Sequence, residues 1–274
     1  MTTLNKKEKK NNNIKKDNSI LNNKEKLLNR KKKIKAIKRG SLIFVFMITV
    51  LITLCLKLPN FNIKNISIIG NENLNKEYIE KLSGVKKGQN IFIVKSSEVE
   101  NLLKKNLYIE NVKITKKLPN TIKLNIMERK ADLYSVVNGE FYIIDTEGIV
   151  IDKEKEIKNK NLVELKGINM SKVKLGQKIP VKNEEQMKCI KELSNIIYNF
   201  NKDSDIKISA IEINNFIDIK LYSNSGLYIK IGTDSKMEEK LEKAFSILKD
   251  PKLKNTNGYI DVSFEGNPII YNKE

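Results

Sequence analysis

The longest apolar run in the chain spans residues 42–56, which read LIFVFMITVLITLCL and carry no charge. Small residues extend this run at its start. At its end the Lys57 side chain can snorkel to the membrane surface, so Leu58 can also lie in the bilayer core. The extended run approaches the roughly 20 residues that a helix needs to cross a bilayer. It is apolar on every side, unlike a helix that packs one face on a soluble core. We therefore predict a transmembrane helix over residues 41–58.

A cleaved signal peptide is the main alternative for such a segment. It has a short charged leader, an apolar stretch of about 7–15 residues and a following site of small residues. Here 40 residues precede the segment, and no small-residue site follows Cys55. The residues before Cys55, Ile52-Thr53-Leu54, also differ from the small residues of a lipoprotein cleavage site. An uncleaved anchor is therefore expected.

The pattern after the anchor alternates between strand and helix periodicity. Its predicted elements are a strand over 61–69, helices over 76–83 and 97–107, and strands over 108–116 and 121–128. Ser97 and Glu100 fit a capping box at the start of the second helix. The order β-α-α-β-β predicts an α+β module over residues 61–129, in which two helices cover one face of a three-stranded sheet.

The remainder of the chain predicts a second module that is richer in strands. Asn138-Gly139 between two alternating runs is a strong hairpin signal. Apolar residues at helical spacing predict one helix over 184–200 and another that follows Asp234 and Ser235, either of which would cap it. Other strands are predicted over 206–214, 216–221, 227–231, 259–264 and 268–271.

Charge is distributed unevenly along the sequence. Residues 1–40 hold 15 Lys and Arg against three acids, so they carry +12 of the total of +19. By the positive-inside rule, this flank predicts a cytoplasmic N-terminus and an extracytoplasmic C-terminal part. The basic residues expected to set this topology are Arg30, Lys31, Lys32, Lys33, Lys35, Lys38 and Arg39.

The same tail, rich in Lys and Asn, predicts a disordered cytoplasmic segment over residues 1–40. Nucleic-acid binding is the other interpretation of a basic run. Because the charge sits directly before the anchor, the membrane explains it, and no nucleic-acid partner is expected.

The chain offers few groups for chemistry. It contains no His, which removes the usual general base and the commonest metal ligand. Cys55 lies in the anchor and Cys189 on a predicted helix face, where a buried apolar role is favoured over a nucleophile. Asp145 and Glu147 flank a turn, which Asp145 is expected to bracket. We predict no catalytic, cofactor-binding or metal-binding residue, no cofactor and no small-molecule substrate.

The order of these elements, with several short motifs, resembles the FtsQ/DivIB family of bacterial cell-division proteins. The motifs are Gly88-Gln89-Asn90-Ile91-Phe92, Leu118-Pro119-Asn120-Thr121-Ile122 and Glu128-Arg129 in the first module, and YIIDTEGIV at 142–150 in the second. The resemblance covers about residues 20–271. Each motif is weak alone, but their order and spacing are specific.

The resemblance implies an α+β ectodomain behind one transmembrane helix. Residues 61–129 would form a POTRA domain, the family's β-α-α-β-β module. Residues 130–274 would form its β domain, a mixed sheet with two helices. The implied function is that of a non-enzymatic bitopic scaffold of the divisome, located in the cell membrane at the division septum.

The implied partners, besides the bilayer, are small bitopic division proteins of the FtsL and FtsB/DivIC types. In the family they dock on the C-terminal part of the β domain, and the POTRA module of this chain would then be a second docking surface. The last strands are also the best candidates for an exposed sheet edge, which can accept a partner strand. The candidate binding residues are Tyr259, Ile260, Asp261, Phe264, Ile270 and Tyr271.

Two other functions are compatible with an anchored ectodomain of this kind. A POTRA-type transport or assembly component would need a β-barrel or repeated POTRA units, and the sequence predicts neither. A cell-envelope enzyme would need a nucleophile motif or a general base, and the lack of His counts against it.

Overall fold

The computed structural model of the chain describes residues 4–157, 161–214, 217–250, 253 and 256–273, with side chains for those between Arg30 and Asn272. The helices are α1 (Leu4–Lys57), α2 (Lys76–Ser83), α3 (Ser96–Leu103), α4 (Glu184–Lys202) and α5 (Met237–Leu248). The strands are β1 (Asn65–Ile69), β2 (Ile109–Lys117), β3 (Thr121–Glu128), β4 (Ala131–Val137), β5 (Glu140–Asp145), β6 (Val150–Glu154), β7 (Val163–Lys166), β8 (Ile208–Glu212), β9 (Ile219–Ser223), β10 (Leu227–Gly232), β11 (Asn257–Asp261) and β12 (Ile269–Lys273).

Helix α1 carries the predicted anchor. Its part Arg30–Lys57 is long and apolar enough to cross a membrane. The hydroxyls of Ser41, Thr49 and Thr53 donate to carbonyls three or four residues earlier, so these polar groups are satisfied within the helix, as a bilayer requires.

The helix also continues back to Leu4, where composition predicted disorder over residues 1–40. No Gly or Pro interrupts residues 4–39, and the Lys and Leu of this segment favour a helix.

The first ectodomain module has the predicted element order, and its sheet order is β1-β3-β2. Helix α2 starts where the side chain of Asn75 accepts the Tyr78 N–H at 2.7 Å, and ends at Gly84 in the left-handed conformation. Helix α3 begins at Ser96 and ends at Leu103, so Ser97 is the second residue of the helix and the capping box predicted with Ser97 as N-cap is wrong.

A carboxylate at the end of β3 holds the loop that follows β1. The two oxygens of Glu128 accept the backbone N–H groups of Glu72, Asn73 and Leu74 at 2.8–3.0 Å. Three charge-assisted hydrogen bonds to one side chain fix this loop in a single conformation.

The second module is built on one mixed sheet of nine strands. Their order across the sheet is β12-β11-β10-β9-β8-β7-β4-β5-β6. The pairs β4–β7, β7–β8 and β10–β11 are parallel, and the other pairs are antiparallel. Some neighbouring strands are distant in sequence, so the sheet is not a simple meander. Strand β12 is positioned by its pairing with β11, which in turn pairs with β10.

Helices α4 and α5 supply the core of this module. Phe200 of α4 and Phe245 of α5 stack with ring centroids 4.0 Å apart. The fully buried core residues include Leu193, Ile197, Ile211, Leu221, Ile229, Leu241, Leu248 and Ile260. Helix α5 contacts β10 and β11, so it covers one face of the strands near the C-terminus.

The chain divides into two compact units. The first comprises the anchor helix with residues 59–66, 86–95 and 116–122. The second comprises residues 67–85 and 96–115 and the chain from Lys123 onward.

Candidate partner-binding edge

Strand β12 is the last strand on one side of the nine-stranded sheet. It pairs antiparallel with β11 through five residue pairs, of which Tyr259↔Tyr271 is the central one. Within the described residues no strand lies on its other side, so half of its N–H and C=O groups point away from the sheet. An unpaired strand of this kind is a template for another strand.

Gly258 allows β12 to approach β11 this closely. Its φ is +150°, and the carbonyl oxygen of Tyr271 occupies the space where a Cβ would lie. Any side chain at this position would collide with backbone rather than with a flexible side chain. The position of the edge strand therefore depends on a glycine at 258.

The first three side chains of β12 are apolar and exposed, and they lie on both faces of the sheet. Ile269, Ile270 and Tyr271 are 54%, 45% and 50% exposed. Ile270 lies opposite the buried Ile260, on the face that the helices cover, whereas Ile269 and Tyr271 lie on the open face. An added strand would bury all three side chains.

Four tyrosines cross the open face in one row, one from each of the last four strands. Tyr222, Tyr228, Tyr259 and Tyr271 are neighbours in the strand register, and successive ring centroids are 5.6, 5.6 and 5.1 Å apart. Such cross-strand aromatic pairs stabilise a sheet. The row ends at Tyr271 on the edge strand.

Charged side chains contact two tyrosines of this row. The Lys230 ammonium lies 3.6 Å from the centroid of the Tyr259 ring. The hydroxyl of Tyr222 donates to the Glu212 carboxylate. Burial and this hydrogen bond raise the pKa of Tyr222 to about 12, so this phenol remains uncharged at neutral pH.

The predicted binding residues lie in different parts of the structure. Ile270 and Tyr271 lie on the edge strand, and Tyr259 is half-buried on the strand beside it. Phe264 is 41% exposed, but it belongs to the connection between β11 and β12 rather than to a strand. The side chain of Ile260 has no exposed surface and belongs to the core, and binding by its segment stays a prediction.

Asp261 has an internal role at the end of β11. Its Oδ1 accepts the backbone N–H of Ser263 at 3.0 Å and the Ser263 hydroxyl at 2.6 Å. The carboxylate therefore brackets the turn after β11, and it is only partly exposed.

Sequence reasoning missed Ile269, Gly258 and the first two tyrosines of the row. A signal for the tyrosines was present, because Tyr222 and Tyr228 flank a predicted turn between two strands. No local pattern could show that β11 joins them in parallel.

The opposite edge of the sheet, β6, is partly covered by the chain itself. The Val150 N–H donates to the Gln177 carbonyl at 2.9 Å, and the Gly176 N–H donates to the Val150 carbonyl at 2.8 Å. This segment occupies hydrogen-bonding positions that remain unpaired on β12.

The groups considered for chemistry have structural roles. Asp145 is 2% exposed, and its Oδ1 accepts the N–H groups of Glu147 and Ile149 while its Oδ2 accepts a guanidinium N–H of Arg129 at 2.8 Å. Cys189 is buried, and burial raises the pKa of its thiol to about 12. Among the described residues, no three His, Cys, Asp or Glu side chains form a group that could hold a metal ion.

The helix predicted after Asp234 and Ser235 begins differently from the expectation. Helix α5 is preceded by Lys236 in a left-handed conformation, and no side chain caps it. The Thr233 and Ser235 hydroxyls lie 2.9 Å apart and bond to each other instead.

Two family models match the chain. Residues 61–129 match the model described as POTRA domain, FtsQ-type, and residues 134–263 match the model described as Cell division protein FtsQ/DivIB, C-terminal. The second match ends before β12, so the edge strand lies outside it.

Curated relatives cover most of the sequence. A cell division protein DivIB of Clostridium botulinum (strain Hall) is 42% identical over 241 residues, which is 88% of this chain and 93% of the relative. A DivIB of Clostridium acetobutylicum is 35% identical over 222 residues, 81% of this chain and 87% of the relative. A cell division protein FtsQ of Rickettsia felis is 34% identical over 93 residues, 34% of this chain and 35% of the relative.

Proposed function

The chain belongs to the FtsQ/DivIB family of bacterial cell-division proteins, and we propose that it is a non-enzymatic, single-pass membrane scaffold of the divisome. Its POTRA domain, residues 61–129, and its β domain, residues 130–274, bind other division proteins outside the cytoplasm while the septum assembles.

The exposed strand β12 carries this proposal. Its unpaired backbone and its half-exposed Ile269, Ile270 and Tyr271 suit a partner that adds one strand to the sheet. Main-chain hydrogen bonds would provide affinity, and the apolar side chains on both faces would determine the register in which the partner strand pairs with β12. We propose bitopic division proteins of the FtsL and FtsB/DivIC types as the partners.

The proposed topology places the N-terminus in the cytoplasm. The apolar part of α1 is preceded by seven basic residues between Arg30 and Arg39, whereas Leu58-Pro59-Asn60-Phe61 on the other side is uncharged. This asymmetry favours retention of the basic flank in the cytoplasm. The ectodomain then reaches its partners on the outer side of the membrane.

The state of the reactive groups supports a role without catalysis. The Cys189 thiol, with its pKa near 12, stays protonated at neutral pH and is therefore a poor nucleophile. Both oxygens of Asp145 are engaged by Arg129 and the turn. The chain has no His that could activate either group.

The proposal is tested by imaging a fluorescent fusion of the full chain in its native cell during controlled depletion. A band at midcell, with filamentous cells after depletion, is the expected result. An even signal around the cell periphery, with normal division after depletion, would contradict a divisome role.

A further inference from the structure

The loop 88–93 of the first compact unit is bonded directly to the outer end of the anchor helix. The side-chain amide of Asn90 donates to the carbonyl of Cys55 at 2.9 Å and to the carbonyl of Leu56 at 3.1 Å. Asn90 is 6% exposed, and it satisfies carbonyls of the last turn of α1 that lack a helical partner. The loop therefore lies where the anchor leaves the bilayer.

Two further segments of this unit are tied to the same place. The Ile91 N–H donates to the Phe61 carbonyl, and the Ile63 N–H donates to the Gln89 carbonyl. The N–H groups of Lys64 and Asn65 both donate to the carbonyl of Asn120, in the β2–β3 hairpin. Residues 57–66, 86–95 and 116–122 thus form one surface beside the end of the anchor, which we call the anchor-proximal surface.

The charge of the anchor-proximal surface has one sign. Its three segments contain seven Lys and no Asp or Glu. The lysines are Lys57, Lys64, Lys86, Lys87, Lys95, Lys116 and Lys117. Residues 41–274 together carry a net charge of +7, so these segments account for the whole positive excess of the chain outside the basic tail.

The same surface exposes large apolar side chains. Leu58, Phe92, Ile93 and Leu118 are 41%, 39%, 58% and 59% exposed. Phe92 rests against Phe61, with ring centroids 5.2 Å apart. Aromatic and aliphatic groups surrounded by lysines are typical of surfaces that settle into the headgroup layer of a membrane.

From this combination we propose that the anchor-proximal surface binds the outer face of the bilayer through anionic lipid headgroups. The lysines would contact the phosphates, and Phe92, Ile93 and Leu118 would enter the boundary with the acyl chains. Continuity with the anchor favours lipid as the occupant, because the surface starts at the residue where the transmembrane helix ends. The proposal rests on the proposed membrane-spanning anchor and its orientation but is independent of the divisome role.

The chain contains no Trp, so a single introduced Trp reports on its own surroundings. The test uses full-length Phe92→Trp protein reconstituted into vesicles with brominated lipids, which quench Trp on contact. One set of vesicles is phosphatidylcholine alone, and the other also contains phosphatidylglycerol. Phe264→Trp is the matched control, since Phe264 is 41% exposed and Phe92 is 39% exposed.

We expect strong quenching of F92W in the anionic vesicles, weaker quenching in the neutral vesicles and little quenching of F264W in either. Raising the salt concentration should weaken the anionic signal, because the Debye length falls from about 10 Å at 0.1 M to about 3 Å at 1 M. Leu118→Trp provides a second probe on the β2–β3 hairpin, should Phe92→Trp disturb its loop.

Charge reversal tests the lysines directly. One lysine near an anionic surface shifts a binding equilibrium by about fivefold, so Lys86→Glu with Lys87→Glu should lower the equilibrium constant for binding of this surface to the membrane at least about tenfold, measured as loss of F92W quenching. Lys172→Glu with Lys174→Glu is the control, because it makes the same change of charge at two exposed lysines of the other unit. It should leave the quenching unchanged.

Three results would overturn the proposal. They are quenching of F92W no greater than that of F264W, equal effects of the two charge reversals, and a response of F92W to soluble teichoic acid without any quenching by vesicles. The last result would assign the surface to an anionic wall polymer.

Discussion

The rings of Tyr259 and Tyr271 stack across the last two strands of the sheet, with their centroids 5.1 Å apart. Tyr259 has a tyrosine on each side, Tyr228 on one strand and Tyr271 on the other, whereas Tyr271 is half exposed at the edge. A strand added beside β12 would continue the hydrogen-bond ladder and would place its own side chains next to Tyr271. The edge is therefore the part of the β domain best suited to hold a partner strand.

Ile270→Lys should weaken binding of a bitopic division partner at least tenfold. A central apolar contact at an interface is commonly worth about 1–2 kcal/mol or more, and the lysine would also lose hydration on binding. The measurement is capture of the FtsL- and DivIC-type proteins of the same organism by the full chain in detergent or nanodiscs.

Val136→Lys is the control for this change. Val136 and Ile270 are both 45% exposed, but Val136 lies on β4, which has a neighbouring strand on each side. V136K should leave capture unchanged. Equal losses in the two variants would place the binding site elsewhere.

Gly258→Ala should displace β12 while leaving the rest of the β domain folded. The added methyl group would meet the Tyr271 carbonyl, and φ of +150° is strained for alanine, at a cost of about 1–3 kcal/mol. Hydrogen exchange should therefore accelerate about tenfold or more at the amides of β12, with little change in β8 and β9.

Gly139→Ala is the control that separates the effect of a steric collision from the effect of a strained φ angle. Gly139 also has a positive φ, +80°, but no atom lies within 4 Å of the position that a Cβ would take there. G139A should leave exchange in β12 as it is in the unaltered chain. Slow exchange at β12 in G258A would mean that the edge tolerates a side chain at 258.

Arg129→Ala should lower the free energy of unfolding by about 3 kcal/mol, because it leaves the carboxylate of Asp145 buried without its cation. Asp145 is 2% exposed, and its bond to Arg129 is 2.8 Å long. Lys191→Ala removes the exposed pair with Glu147 and should cost less than about 1 kcal/mol. Denaturant unfolding of the full chain in detergent compares the two, and similar losses would contradict the role given to burial.

Cys189 should be almost inert to thiol reagents in the folded chain at neutral pH and reactive after unfolding. Burial raises the thiol pKa from 9.0 to about 12, so little thiolate forms. A Cys55→Ala background leaves Cys189 as the single thiol. Fast labelling of the folded protein at pH 7 would contradict this environment.

The raised pKa of the Cys189 thiol also determines how this group makes the stability of the fold depend on pH. Above about pH 9 the unfolded chain loses the thiol proton that the folded chain keeps, so the unfolding free energy contributed by this group falls as pH rises towards 12. Cys189→Ala should remove that component.

Local patterns predicted the parts of the fold that local physics determines. The uncharged run 42–56 predicted the anchor, and the order of periodic segments predicted the β-α-α-β-β module. The Asn138-Gly139 hairpin and the helix that begins at Glu184 follow from residues that lie next to one another in sequence.

Tertiary contacts determine the features of the fold that local sequence patterns did not predict. Strand β12 is an edge because β11 pairs in parallel with β10, a choice that no residue of β12 encodes by itself. The start of α5 depends on Lys236 at φ +52°, so the expected cap at Asp234 or Ser235 did not form. Ile260 lies between the partly exposed Tyr259 and Asp261, and the packing of α5 on the sheet buries it completely.

The central claim is tested most directly by photo-crosslinking in living cells, with a benzophenone amino acid at position 271 of the full chain and, separately, at position 136. Strand addition at β12 predicts a covalent adduct between position 271 and an FtsL- or DivIC-type division protein, and no such adduct from position 136. An adduct from position 136 alone, or none from either position in cells that divide normally, would contradict the account.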